Sequence, residues 1–288
     1  MNVAVIGAGR VGTAMGVLLS RAGHTVVAAS GRGAGSRERV ERHLPGVPFV
    51  GSVEAAKRAE VVLLSVPDDR ILDVCVTLAK RGGLAAGPAV LHLSGANPLD
   101  DLAPAAEVGA STLSIHPLQA APSVDAAIER FPGSGFAVTA RDEEVFVLGE
   151  RLAADAGGHP FRLLDEHKPL YHAAAVFASN YLAVVEGIAE ELFAQAGIAE
   201  PRPLFGPLAE GTLASVLERG AAEALTGPVA RGDAGTVRRN LEALRERAPG
   251  CVPSYVALAR AALEVAGRAG RASEHHRAKI EEVLDAWT

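Results

Sequence analysis

The chain contains 288 residues, enough for about two domains with a core in each. Its formal net charge is −6 and its arginines are scattered, a pattern that argues against nucleic acid as the main partner. The cysteines, Cys75 and Cys251, are too few for a disulfide framework and lack metal-ligand spacing, so we expect no metal site. Because Met1 leads directly into an apolar run, we expect no signal peptide and a cytoplasmic protein.

The first predicted element is a short buried strand, Val3 to Ile6, which leads directly into Gly7-Ala8-Gly9-Arg10-Val11-Gly12. In this G-x-G-x-x-G pattern, Gly7 allows the tight turn, Gly9 lets the backbone approach a pyrophosphate, and Gly12 lets the next helix pack on the strand. The free N–H groups and the positive end of that helix then face the phosphates. The pattern predicts a dinucleotide-binding turn, and the alternative is a glycine-rich turn without a ligand.

The second predicted strand, Thr25 to Ala29, ends in Ser30-Gly31-Arg32. A site specific for NAD usually places an acidic residue here to bind the ribose 2′-hydroxyl group. Ser30 could instead hydrogen-bond to a 2′-phosphate, and Arg32 could bind it through its planar guanidinium group. The sequence therefore favours NADP over NAD as the cofactor. The alternative is a solvated basic loop with no role in binding.

Further along the first half, short apolar runs alternate with helical stretches. We predict a weak third strand at 49–51 and stronger strands at 61–66, 89–93, 112–115, 136–139 and 161–163, with a helix over 143–156 before the last strand. This alternation is typical of an α/β domain with a doubly wound, mostly parallel sheet of the Rossmann kind.

Polar residues follow several of these strands, and ligands of open α/β sheets bind outside the carboxyl ends of the strands. We expect Val66 and Pro67 to line the nicotinamide or ribose edge of the cofactor site. Ser94 and His116 end neighbouring strands, so we expect them to converge, with Ser94 beside the cofactor and His116 beside the substrate. The alternative for His116 is a structural hydrogen-bond partner. We expect the pair Asp68-Asp69 to cap the next helix.

From Asp165 onward the pattern changes to helices separated by Pro and Gly. We predict helices at about 168–196, 206–219, 221–230, 234–247, 253–267 and 273–286. The domain boundary is therefore expected near residue 164, with a dinucleotide-binding domain at 1–164 and an all-helical substrate and dimerisation domain at 165–288. Residues 169–185 lack formal charge but include polar side chains, so we expect a helix buried in protein and not in a membrane.

A group of polar residues lies on this first helix of the second half. Pro169 suits a first helical turn, which puts Lys168 at the helix start. Helical periodicity then places Lys168, His172 and Ser179 on one stripe, with Asn180 at its edge. The positive end of the helix dipole and partial burial both lower a lysine pKa, toward the range of a general acid. The alternative is a solvated Lys168 with His172 packed in the core.

A third polar segment covers residues 226–233. Thr226 and Arg231 could bind a substrate carboxylate, with Arg231 in a bidentate arrangement. Alternatively, Asp233 caps the helix that follows and Arg231 pairs with a neighbouring acid. The residues leave these two interpretations open.

Several motifs resemble those of known families. GAGRVG, SVPDD, HLSGA and IHPLQ resemble the Rossmann-like domain of a bacterial family, and KPLYHAAAVFASNYL and LTGPVARGD resemble the domain of unknown function DUF2520. The resemblance spans essentially the whole chain. It implies kinship with 6-phosphogluconate dehydrogenase, β-hydroxyacid dehydrogenases, ketopantoate reductase and pyrroline-5-carboxylate reductase. In the hydroxyacid and ketopantoate enzymes a catalytic lysine is followed four residues later by asparagine. Lys168 matches that lysine, whereas His172 stands in place of the asparagine.

The residues and the resemblance together predict an NADP-dependent oxidoreductase that reduces a small 2-oxo acid, with ketopantoate as the leading candidate. Lys168 would protonate the forming alkoxide, or His172 would do so. One alternative is an imine reductase of the pyrroline-5-carboxylate type, whose substrate nitrogen can arrive already protonated. The other alternative is a sensor that binds NADP(H) without turnover.

The apolar helix at 169–185 also predicts an oligomer. A helix that is apolar all round needs cover on every side, and about 120 residues make a small domain for that purpose. A two-fold interface would supply the missing cover. We therefore expect a homodimer through residues 165–288, and the alternative is that the helices after residue 206 enclose this helix within one chain.

Overall fold

The computed structural model describes residues 1–268, 270 and 273–287. The chain forms two compact units, Met1–Ser179 and Asn180–Thr288. This division falls later than the domain boundary that the sequence predicts near residue 164. The difference arises because the helix that begins at Lys168 is anchored in the first unit by hydrogen bonds of the buried Lys168 side chain.

The first unit is built on a seven-stranded sheet with strand order β2-β1-β3-β4-β5-β6-β7. The strands are β1 (Asn2–Ile6), β2 (Thr25–Ser30), β3 (Val61–Leu64), β4 (Ala89–His92), β5 (Ser111–Pro117), β6 (Gly135–Ala140) and β7 (His159–Arg162). Neighbouring strands run parallel except for β5 and β6, which are antiparallel. The mostly parallel sheet predicted from the sequence is therefore confirmed.

The prediction of a weak third strand at 49–51 is wrong. Phe49 forms an isolated bridge with Ala29, which is flanked by backbone hydrogen bonds of Pro48 and Val50. Proline has no backbone N–H group and cannot donate to a ladder, which limits strand pairing at this point.

Helices cover both faces of the sheet. The helices of this unit are α1 (Arg10–Arg21), α2 (Ala34–His43), α3 (Ser52–Ala56), α4 (Ile71–Lys80), α5 (Ala103–Ala106), α6 (Val124–Arg130), α7 (Glu143–Asp155) and α8 (Lys168–Ala175). Successive residues of a strand point to opposite faces, so Val3 and Val5 join one buried cluster while Ala4 and Ile6 join another. The two cores make this a doubly wound domain, as the alternation in the sequence predicts.

The second unit is helical, as predicted. Its helices are α9 (Leu182–Gln195), α10 (Pro201–Arg219), α11 (Ala221–Ala224), α12 (Pro228–Arg231), α13 (Ala234–Arg247), α14 (Val252–Arg268) and α15 (Glu274–Asp285). Its core lies between α13, α14 and α15, where Leu241, Leu263 and Ile280 are buried. The single helix predicted at 221–230 is two short helices, because Gly227 has a φ of +100° and Pro228 starts the second helix.

The helix predicted at 168–196 contains a π-helical segment, Val176–Tyr181, between α8 and α9. Within the described part of the chain, the continuous helical stretch Asp165–Gln195 is long and apolar enough, by length and composition, to cross a membrane. The expectation that residues 169–185 are buried is wrong for a single chain, since Leu170 is 78% exposed and Val184 is 56% exposed. The reason is that α10 packs beside α9 and leaves much of the α9 surface in solvent.

Candidate functional site

The turn between β1 and α1 requires two of its three motif glycines for packing. Gly7 has a φ of +97°, and a Cβ atom there would lie 2.4 Å from the backbone oxygen of Ser65. A Cβ atom on Gly12 would lie 2.6 Å from Cβ of Ser65. The backbone N–H groups of Gly7 and Ala8 both donate to the Ser30 carbonyl at 2.9 Å, which fastens the turn to the end of β2.

Gly9 is different, because nothing in the protein itself demands a glycine there. Its φ of −82° and ψ of −166° suit any residue, and the nearest atom to an added Cβ is the Gly7 carbonyl oxygen at 3.9 Å. Gly9 directly precedes α1, whose first-turn N–H groups have no acceptors within the helix, and it gives no side-chain cap. The open space at Gly9 therefore fits a phosphate group that approaches the start of α1.

A cavity of about 530 Å³ lies at the carboxyl ends of β1, β2 and β3. It brings together predicted cofactor residues from three separate segments: Gly7, Gly9, Ser30, Arg32, Val66 and Pro67. It also includes residues that the sequence did not single out: Ser36, Ser52, Ser65, Arg70, Asp73, Val74 and Thr77. The sequence could place the strand ends, but it gave no signal for the side of α4 that faces the cavity.

The other predicted cofactor residues do not line this cavity. Ala8 is buried, Val11 is half-buried, and Gly12 packs against Ser65. Arg10 is exposed and donates from Nη1 to the carbonyl of Pro122 at 3.1 Å. Their contribution is to form and hold the turn.

The basic segment after β2 is organised by Arg39. Its Nε donates to the Ala8 carbonyl at 2.9 Å, and its Nη2 donates to Oγ of Ser36 at 3.2 Å. Ser36 in turn donates from Oγ to the Arg32 carbonyl at 3.2 Å. These contacts fix the backbone of Arg32, whose exposed side chain borders the cavity.

Lys168 forms the centre of a second group of residues in the same unit. Its side chain is fully buried, and Nζ donates to the Ser94 carbonyl at 3.1 Å and to Oγ of Ser114 at 2.7 Å. Burial lowers the pKa of Lys168 to about 8, although the carboxylates of Asp165 and Asp68 act in the opposite direction. The pKa therefore moves as the sequence predicts, with burial as the main cause.

His116 and Tyr171 form a hydrogen-bonded pair next to this lysine. Nδ1 of His116 lies 2.8 Å from Oη of Tyr171, and the imidazole packs on Gly95, where an added Cβ would lie 2.9 Å from the ring. The ring centroids of His116 and His172 are 6.2 Å apart. Burial, aided by His172 and Lys168, lowers the pKa of His116 to about 4, and burial raises the pKa of Tyr171 to about 12. Both side chains are therefore neutral at pH 7.

Tyr171 is a functional candidate that the sequence reasoning missed. Residues three and four apart share a helix face, so Tyr171 and His172 both lie on the face of Lys168. That spacing could have found it. The structure adds that Tyr171 reaches His116, which no helical periodicity predicts.

His92 completes the buried group at the end of β4. Its Nδ1 accepts a hydrogen bond from the Ser94 N–H group at 3.2 Å. Burial and the charge of Lys168 lower the pKa of His92 to about 3. Within the described chain, Nδ1 of His172 is buried without a hydrogen-bond partner. An unsatisfied buried nitrogen atom is costly, so it marks a place where a further acceptor or donor fits.

The cavity and this buried group are linked by Asp68 and Ser94. Pro67 lines the cavity, and the next residue, Asp68, accepts a hydrogen bond from Oγ of Ser94 at 2.8 Å. The Ser94 carbonyl then accepts from Lys168. The expectation that Asp68 caps the next helix is wrong, because the turn before α4 and α4 itself have no side-chain cap. Ser94 belongs with Lys168 and does not line the cavity.

The remaining predicted substrate residues lie in the π-helical segment and in the second unit. Ser179 is exposed in the π-helical segment, whose wider turns end the regular spacing that placed it on the Lys168 stripe. Asn180, Thr226 and Arg231 lie in the second unit and are exposed. Asp233 accepts a hydrogen bond from the Thr236 N–H group at 3.0 Å, so it caps α13 as the second interpretation of that segment expected. In the described parts of the chain, no three His, Cys, Asp or Glu side chains are arranged to hold a metal ion.

Comparisons with known proteins identify two domains. Residues 1–117 match the Rossmann-like domain, and residues 134–262 match the domain of unknown function DUF2520. No curated protein matches the chain.

Solved structures share the fold over most of the chain. BF3122 from Bacteroides fragilis, provisionally named an NADP oxidoreductase, is 22% identical with a TM-score of 0.74, and the match covers 91% of this chain and 98% of that one. TM1727 from Thermotoga maritima is 24% identical with a TM-score of 0.69, over 93% of this chain and 99% of that one. An imine reductase from Myxococcus stipitatus in complex with NADP⁺ is 18% identical with a TM-score of 0.65, over 92% and 95%. The chain thus combines a Rossmann-like domain with a DUF2520 domain.

Proposed function

We propose that this protein is an NADP-dependent oxidoreductase. The observation that carries the proposal is the continuous path from the cavity to the buried polar group, through Pro67, Asp68, Ser94 and Lys168. NADP(H), when bound, supplies hydride transfer at its nicotinamide ring. The fold shared with an imine reductase that binds NADP⁺ supports this proposal.

The cavity residues would hold the cofactor by its charged groups. The open space at Gly9 and the start of α1 suit the pyrophosphate, and Ser30 and Arg32 suit the 2′-phosphate. Val66 and Pro67 line the cavity on the side that continues to Asp68. Two ends of the cofactor would thus be held by separate strand ends of one sheet.

Lys168 acts in this proposal as a positioning residue. Its ammonium group is fully buried and donates to the Ser94 carbonyl and to Ser114. A general acid must lie within hydrogen-bond reach of the reacting atom, and an enclosed ammonium group does not meet that condition. The sequence assigns the role of proton donor to Lys168 or His172, and we place it on the neighbours of Lys168. Lys168 joins the segment after β4 to the middle of β5 and keeps a positive charge beside them.

The Tyr171–His116 pair, with His172 beside it, is the group that would meet the substrate. When Nδ1 of His116 donates to Oη of Tyr171, the phenol hydrogen is left to donate to a substrate oxygen. When the phenol donates to Nδ1 instead, the Tyr171 oxygen retains a lone pair that can accept from a substrate N–H group. The same pair can therefore serve either a carbonyl or an imine substrate.

We favour a C=N substrate. His116 and Tyr171 are both neutral at pH 7, so this pair can accept a hydrogen bond from a protonated imine. Such a substrate needs no proton from the enclosed Lys168. A small 2-oxo acid, with ketopantoate as its first example, is the second candidate. The buried cation of Lys168 favours it, since a nearby positive charge stabilises a developing alkoxide.

The test is a substrate panel followed by NADPH absorbance, with NADP⁺ binding measured separately by calorimetry. Cyclic imines such as pyrroline-5-carboxylate are expected to oxidise NADPH faster than 2-oxo acids do, and NADH should be the poorer cofactor. If ketopantoate were reduced faster than any imine, a 2-oxo acid would be the favoured substrate. Binding of NADP⁺ without turnover across both sets would contradict a reductase and leave a sensor that binds the cofactor.

A further inference from the structure

Arg70 is a second cation on the cofactor cavity, and it comes from a different strand end than Arg32. Arg32 follows β2, whereas Arg70 ends the short turn Asp68–Arg70 that connects β3 to α4. Both side chains border the same cavity of about 530 Å³. The cavity is therefore flanked by arginines from two separate segments.

The hydrogen-bonding capacity of Arg70 is only partly used. Its Nη2 lies 3.3 Å from Oδ2 of Asp73, which lines the same cavity from the first turn of α4. Its Nε is buried, and in the described chain it has no hydrogen-bond partner. A buried donor left without an acceptor is unfavourable, so this guanidinium group is suited to gain an acceptor when a ligand enters.

The charges on the cavity wall favour an anionic ligand group near Arg70. Arg32, Arg70 and Asp73 are the charged residues among those that line it, which leaves an excess of one positive charge. A phosphate monoester carries a charge of about −1.5 to −2 at neutral pH and accepts the paired hydrogen bonds of a guanidinium group. The pyrophosphate already has a place at Gly9 and the start of α1, which leaves the 2′-phosphate as the remaining anion.

We propose that Arg70 binds the 2′-phosphate of the cofactor together with Arg32, and that Asp73 is its counter-charge when that phosphate is absent. This inference rests on the proposed binding of NADP(H). Because Asp73 and the phosphate compete for one guanidinium group, the pair Arg70–Asp73 sets the preference for NADP over NAD. The sequence placed this discrimination on Ser30 and Arg32 alone.

The test compares 2′,5′-ADP with 5′-AMP, which differ by the 2′-phosphate, using calorimetry and no turnover. Arg70→Ala should weaken binding of 2′,5′-ADP by roughly tenfold or more and change binding of 5′-AMP by less than about twofold. Arg70→Gln, which keeps hydrogen-bond donors without the charge, should lie in between. Asp73→Asn should act in the opposite direction and tighten 2′,5′-ADP binding. Arg81→Ala, at the far end of α4, is the matched control and should change neither ligand.

Each outcome decides the proposal. Equal weakening of both ligands by Arg70→Ala would place Arg70 on the shared adenosine or 5′-phosphate and overturn the proposal, as would no change. Weaker 2′,5′-ADP binding by Asp73→Asn would also contradict the competition. If the unsubstituted protein bound neither 2′,5′-ADP nor NADP⁺, the proposed function itself would fail. That result differs from binding that depends on Arg32 but not on Arg70, which would overturn only the present proposal. Thermal melting of each variant checks that it is folded.

Discussion

The imidazole of His116 and the phenol of Tyr171 share a hydrogen bond of 2.8 Å although they lie 55 residues apart in the chain. His116 comes from β5 and Tyr171 from α8, so the contact joins a strand to a helix. The ring of Phe161 meets Tyr171 from another side, with centroids 6.1 Å apart. The phenol is thus held by packing as well as by its hydroxyl group, and the two contributions can be separated by substitution.

Tyr171→Phe should keep the packing and remove the hydroxyl group. For a 2-oxo acid, whose oxygen needs a proton, we expect kcat to fall by about 10²-fold or more. For a protonated imine we expect a loss of about tenfold, mainly in kcat/KM, because only an orienting hydrogen bond is lost. Steady-state kinetics on both substrates measures this split, and calorimetry should show unchanged NADP⁺ binding. Tyr255→Phe, which removes a hydroxyl group that accepts from Asn240 in the second unit, is the control. Equally small effects on both substrates would remove Tyr171 from the site.

Lys168→Met tests the positioning role with a readout that does not depend on the substrate. The charge of Lys168 helps to lower the pKa of His116, so its removal should raise that pKa from about 4. An NMR titration of the histidine ring protons measures the shift. Lys80→Met, an exposed lysine at the end of α4, should leave the titration unchanged. A His116 pKa that stays the same in Lys168→Met would mean that the two groups do not interact.

Stability should fall as the pH falls below about 6.5. Burial holds the pKa of His92 near 3 and that of His116 near 4, so between those values and 6.5 the unfolded chain binds protons that the folded chain does not. Each histidine therefore lowers the free energy of unfolding by about 1.4 kcal/mol for every pH unit in its window. Urea denaturation at pH 7, 6 and 5 measures the slope. His92→Asn should make the slope shallower, and an unchanged slope would contradict the assignment.

Gly9→Ala and Gly12→Ala should separate ligand binding from folding. An Ala at position 9 meets no atom closer than 3.9 Å, so we expect stability to change by less than about 1 kcal/mol. Its methyl group would occupy space that the pyrophosphate needs, so NADP⁺ affinity should fall by roughly tenfold or more. Gly12→Ala brings a Cβ atom to 2.6 Å from Ser65 and should lower the melting temperature. Unaltered NADP⁺ affinity in a folded Gly9→Ala variant would show that the phosphates lie elsewhere.

We propose that α9 and α10 are covered by a second copy of the chain, as a homodimer through residues 165–288. On one side of α10, Leu204 and Leu208 are each 69% exposed. On the opposite side, Leu213 is 46% exposed and Leu217 is 79% exposed. Light scattering should therefore give twice the mass of the 29.6 kDa chain at micromolar concentration. Leu208→Glu should shift the protein toward the monomer, whereas Leu72→Glu on α4 should not. A monomeric unsubstituted protein would refute this assembly.

The sequence was most informative where neighbouring residues alone determine the local structure. The strand before Gly7 and the glycines after it predict both the fold of the first unit and the location of the cavity, because tight turns leave a short-range signature. Ser30 and Arg32 could be found for the same reason, since they follow a β-branched strand directly. The helical second unit was likewise visible from its periodicity and its Pro and Gly breaks.

Residues that meet across the sheet were harder to predict. Tyr171 was overlooked because its partner His116 lies on another element, and Arg70 and Asp73 because periodicity does not reveal which side of α4 faces the cavity. The π-helical segment left no breaker residue in its sequence, so Ser179 was assigned to a stripe that the wider turns do not maintain. These are contacts of tertiary structure, which a local pattern does not encode.

Arg39 connects α2 to the glycine turn, because its guanidinium group donates to the Ala8 carbonyl and also to Ser36 on its own helix. Ser36 donates in turn to the Arg32 carbonyl, so the glycine turn and the loop after β2 are held by one chain of hydrogen bonds. Such hydrogen bonds reduce the loop freedom that binding would otherwise remove. A mononucleotide that binds at one end of the cavity therefore meets the same geometry that the whole dinucleotide requires. Removing the Arg39 side chain would raise the entropic cost of binding at both ends of the cavity.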